Sequence, residues 1–78
     1  METIAVDCLF TEDGSVRVRR IKRHDTWIPV TQGRQWQNDA GRHVLIMLYG
    51  REVREIFLNA HSLVWELKPA QASDTTVV

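Results

Sequence analysis

Thr3-Ile-Ala-Val-Asp-Cys-Leu-Phe-Thr-Glu-Asp-Gly-Ser-Val-Arg-Val-Arg-Arg-Ile21 is the stretch whose reading decides the fold. Ile4, Val6, Cys8 and Phe10 alternate with other residues, which is the period of a half-buried strand rather than of a helix. Thr11 to Ser15 carries turn chemistry, with Asp13-Gly14 suited to a tight reversal. Val16 and Val18 resume the alternation, so a hairpin is expected. The doubled arginine at Arg19 and Arg20 would put Ile21 on the wrong face, and a bulge at this pair restores it.

Working outward, His24-Asp25 turns the chain into Thr26-Trp-Ile-Pro-Val-Thr31, where Pro29 cannot donate to a ladder and places the run at an edge or a bulge. Trp27 and Trp65 lie in β-rich runs and are expected to fill core. Residues 33–41 are polar apart from Trp36 and Ala40 and are bounded by glycines, as a connecting loop would be. His43-Val-Leu-Ile-Met-Leu-Tyr49 is apolar on both alternating faces and reads as the central strand. A Gly50-Arg51 reversal of type II′ would set Leu48 opposite Val53 and Leu45 opposite Ile56.

Residues 51–67 admit two readings. Val53, Ile56, Phe57, Ala60, Val64 and Leu67 match the spacing of a C-terminal helix. Two strands, Glu52 to Leu58 and Leu63 to Leu67, are preferred, because a helix would leave Leu58, Leu63 and Trp65 off its apolar stripe. The fold class expected is therefore mostly β: a small antiparallel roll or SH3-like barrel of five to six short strands, closed so that no edge is exposed. One domain is expected over 1–69, with 70–78 as a flexible tail.

A chain of 78 residues hides only about 60% of its unfolded surface on folding, so its core is modest and it holds one domain. The one cysteine, Cys8, cannot make an internal disulfide, which fits a reducing cytoplasm better than an oxidising compartment. No segment approaches the ~20 apolar residues that span a bilayer, and the first residues lack a basic leader, so no membrane association is expected.

Formal charge is zero, yet it is unevenly placed. Between Gly14 and Arg51 lie eight basic residues and two acids, a net of +6; the remaining segments carry two basic residues and eight acids, a net of −6. Arg17, Arg19 and Lys22 form a candidate outward row on one strand. Trp36, without apolar neighbours in sequence and between Arg34 and Arg42, is the candidate stacking aromatic. These six residues together form the expected nucleic-acid-binding site.

Other chemistry finds no pattern. The histidines His24, His43 and His61 lack metal-ligand spacing, the serines lack a nucleophile-elbow context, and Cys8 sits on an apolar strand face where thiols are inert. No cofactor, no metal and no catalytic residue is expected. The function expected is a small non-catalytic binding module for single-stranded nucleic acid or RNA, using a basic strand face and an exposed tryptophan. The alternative is a protein-interaction or self-assembly module, a homo-oligomer included, that pairs opposite-charge surfaces.

Overall fold

The computed structural model describes residues 2–70. Six antiparallel strands follow one another around a closed barrel: β1 (Glu2–Phe10), β2 (Val16–Arg23), β3 (Thr26–Asn38), β4 (Gly41–Leu48), β5 (Glu52–Asn59) and β6 (Trp65–Leu67). The barrel closes where β1 meets β6, with Glu2 opposite Leu67 and Ile4 opposite Trp65. Closure leaves no strand as a free edge of the sheet. The mostly β reading holds, and 52–59 and 65–67 are strands, so the helical alternative is set aside. The tail proposed for 70–78 lies, apart from Ala70, outside the described residues. Among the described residues no helix is long and apolar enough to cross a membrane.

Inward positions follow the alternation. Val16, Ile21, Val44, Ile46, Leu48, Ile56 and Leu67 lose essentially all exposure, and Ile4, Val18, Ile28 and Trp65 complete the core. Val6 and Cys8 pack against it, and burial pushes the Cys8 thiol up from its ordinary value. Phe10, expected on the same face, lies at the rim of the barrel and stays 55% exposed.

The bulge at the doubled arginine is present. Asp7 pairs with Arg20 and Cys8 with Val18, so Arg19 has no partner across the ladder. One extra residue restores Ile21 to the interior and turns both Arg19 and Arg20 to the surface.

Residues 33–41 are not a connecting loop. β3 runs through them to Asn38, paired with β4 from Val30–Leu48 to Asn38–Gly41. Polar composition there reflects a strand end whose side chains are exposed or half-buried, not the absence of a strand. β3 changes partner along its length: Thr26 to Pro29 pair with β2, and Val30 onward pair with β4. Pro29, which has no N–H to donate, is the last residue paired to β2. Beyond it the two strands part, and the side-chain amides of Gln32 and Gln35 bridge the seam. The Val16 N–H donates to Gln35 Oε1 at 3.0 Å and the Val18 N–H to Gln32 Oε1 at 2.7 Å. Both glutamine Nε2 atoms donate back to the Val16 carbonyl at 2.9 Å. Backbone groups left by the missing ladder are thereby satisfied.

The β4–β5 register differs by one residue from the type II′ expectation. Leu48 faces Glu52 and Leu45 faces Glu55, while the Arg51 N–H donates to the Leu48 carbonyl at 3.1 Å. Tyr49 and Gly50, with φ of 56° and 74°, are the central residues of the turn, a type I′ pattern.

Candidate functional site

The outer face of β1, β2 and the first part of β3 gathers cations. Arg17, Arg19, Arg20 and Lys22 lie there against one carboxylate, Asp7. Asp7 accepts from Arg20 Nε at 2.8 Å and stands 3.7 Å from an Arg19 nitrogen. Arg23 is consumed by Glu2 at 3.2 Å, and this hydrogen bond holds the Glu2 carboxyl below its ordinary range. Among the described residues Arg17, Lys22, Arg34 and Arg42 have no carboxylate partner. The acids Glu52, Glu55 and Glu66 belong to β5 and β6, across the barrel from β2 and β3.

Trp27 corrects the expectation that it fills core: it is 39% exposed on this cationic face. Its place follows from the two-residue turn at His24-Asp25, which pairs Arg23 with Thr26 and Lys22 with Trp27. The Arg20 guanidinium carbon sits 4.6 Å from the centre of the indole, and Lys22 Nζ 6.0 Å from it. Both are within reach of a cation–π attraction.

Trp36 is not an exposed loop residue. It is half-buried on β3 opposite His43, with the two rings parallel within 4° and their centroids 5.1 Å apart. Arg34 lies over the indole at 5.3 Å. Arg42 is separate again. It bonds Gln35 Oε1 at 2.9 Å and Gln37 Oε1 at 2.8 Å, at the barrel end where Leu58 lies opposite it. Of the six residues expected from sequence, the structure therefore brings together Arg17, Arg19 and Lys22. It places Arg34 with Trp36 farther along β3 and Arg42 at the barrel end. Sequence reasoning missed Arg20 and Trp27, although counting residues across the His24-Asp25 turn would have set Trp27 opposite Lys22.

Beside the cationic row, the parted strands β2 and β3 leave an open cleft of about 780 Å³. Arg17, Arg19, Gln32, Gln35 and Asp13 are among the residues that line it. Donors from Thr11 first, then Ser15, hold the Asp13 carboxyl at about 2, so it is a fixed negative charge there.

His43 is buried between Trp36 and Phe57, and its Nδ1 meets Glu55 Oε2 at 2.6 Å. Lys68 Nζ reaches the same oxygen at 2.8 Å. The other imidazole nitrogen is buried without a hydrogen-bond partner among the described residues, and the ring is packed between its two aromatic neighbours. Burial would raise the Glu55 carboxyl, but hydrogen bonds from Lys68 and His43 outweigh it and hold the group below its ordinary value of 4.5. A lowered folded value means that this stabilisation is complete above pH 4.5 and is lost as pH falls through the folded value. Urea denaturation between pH 7 and about 3 should show a steeper acid loss for the native chain than for Glu55→Gln. Equal slopes would remove Glu55 as a source of acid sensitivity.

Among the described residues there is no group of three or more metal-ligating side chains. Comparison with models of known protein families, with curated proteins and with solved structures finds no match for this chain.

Proposed function

We propose that this protein is a non-catalytic binding module, an SH3-like barrel in kind, that holds single-stranded nucleic acid or RNA on the outer face of β1, β2 and β3. One observation carries the reading: an exposed indole, Trp27, lies on a strand face with four cations and one carboxylate, Asp7, with Asp13 in the adjoining cleft, and two of those cations lie over the ring. Guanidinium and ammonium groups hold phosphates, and a flat exposed ring stacks an unpaired base, which a duplex cannot offer. Arg17, Arg19, Arg20 and Lys22 would hold the backbone and Trp27 the base.

The alternative, self-association or binding of another protein, draws on the same polarity, since β5 and β6 present the acids. The indole among the cations favours nucleic acid.

The test is the salt dependence of binding to labelled single-stranded oligonucleotides. Three to four phosphate contacts give a slope of log K against log salt of about −2 to −3, or roughly 20- to 50-fold weaker binding from 50 to 200 mM salt. Absence of binding at the low end, or binding indifferent to salt, would end the proposal.

A further inference from the structure

We propose that the cavity beside Trp27 is a slot for one nucleobase, with Tyr49 as its second aromatic wall; this rests on the nucleic-acid reading above and assigns the base its place. The cavity holds about 410 Å³ and is lined by Trp27, Ile28, Pro29 and Tyr49, with Arg23 and His24 at its polar side. Arg20 and Lys22 lie over the Trp27 ring but do not line the cavity. The indole thus serves two neighbours, cations and an apolar hollow. Inside the hollow the one guanidinium, Arg23, is already neutralised by Glu2. A phosphate has little to bind there, whereas a flat apolar ring has two aromatic walls and its phosphate falls to Arg20 and Lys22 next door.

Tyr49 supplies an independent observation. It is 65% exposed and held at φ 56°, in a turn position that asparagine or glycine occupies with less strain. A bulky aromatic in left-handed backbone costs stability. Its ring at the cavity wall is what that position offers in return. A proline-rich peptide can also dock on aromatic-lined grooves, but it has no use for the adjoining cations, whereas a nucleotide uses both.

The experiment compares the native chain with Tyr49→Asn and Tyr49→Phe, using a short oligothymidylate and an abasic sugar-phosphate chain of equal length. Tyr49→Asn should lose about tenfold affinity for the oligothymidylate, the size of one stacked base, and nothing for the abasic chain. Its melting temperature should rise by about 4 °C, because asparagine accepts the left-handed conformation, so lost binding would not reflect lost fold. Tyr49→Phe should bind as the native chain does. If Tyr49→Asn binds the oligothymidylate unchanged, with salt dependence intact, the slot is overturned and the cationic face stands. If neither probe binds the native chain, the nucleic-acid reading itself falls and the slot with it. Binding of an oligoproline peptide that is lost in Tyr49→Asn, with no base-dependent difference between the two nucleic-acid probes, would reassign the slot to peptide.

Discussion

Replacing Gly41 with alanine is expected to cost the barrel about 3 kcal/mol or more, a large share of the stability of a domain this small. Gly41 begins β4 with φ of 154° and pairs with both Asn38 and Asn59. A Cβ there would overlap the Leu58 carbonyl oxygen and stand 3.0 Å from the Ala60 nitrogen. Both are backbone atoms, so no rotamer change makes room. Relief requires β5 to move away from β4, and that movement breaks the bond from the Ala60 N–H to the Ala40 carbonyl, now 2.9 Å. Urea denaturation followed by tryptophan fluorescence measures the loss. Gly33→Ala is the control: its nearest contact would be an ordinary 3.6 Å, and its change should stay within about 0.5 kcal/mol. A Gly41→Ala chain as stable as Gly33→Ala would contradict the close approach of β4 and β5.

The largest functional effect should come from removing charge on β2. The triple variant Arg17→Ala, Arg20→Ala, Lys22→Ala is expected to bind single-stranded oligonucleotides about 100-fold more weakly at low salt, with the salt slope falling toward about −1. Arg17 and Lys22 have no carboxylate partner, and Asp7 keeps Arg19, so no acid is left buried and unpaired. The fold should persist, as a near-native melting temperature would verify. Trp36→Ala, in contrast, should leave the salt slope unchanged while weakening the packing over His43. The reverse result, with binding lost on removing Trp36 and kept in the triple variant, would restore the site expected from sequence and remove the one argued from the structure.

Side-chain placement read from the sequence agrees with the structure where it rests on alternation and departs from it where it rests on local polarity. Val16 and Val18 point inward, so Arg17 points out, and this follows from strand pleating alone. Polar sequence neighbours make Trp36 a candidate for solvent exposure, with capping of one barrel end as the competing reading. Its neighbours in space are His43 across the ladder and Arg34 beside it, and neither contact is visible along the chain. Trp27 shows the converse, with apolar neighbours in sequence and cations in space. Arg54 illustrates the effect of register. The one-residue difference in the β4–β5 hairpin sets it opposite Ile46, buried and bonded to Glu52 at 3.0 Å and to the Lys68 carbonyl at 2.7 Å.

By itself the sequence determined the strands other than the second half of β3, the first hairpin, the bulge at Arg19 and Arg20, and the outward row on β2, because side chains in a strand alternate with a period of two and turns have their own residue chemistry. Tertiary structure alone decided the run of β3 to Asn38, the β4–β5 register, the parting of β2 from β3 beyond Pro29, and which tryptophan faces solvent among the cations. Alternation states which residues share a face. Whether that face is covered depends on strands distant in sequence, and only their pairing determines it.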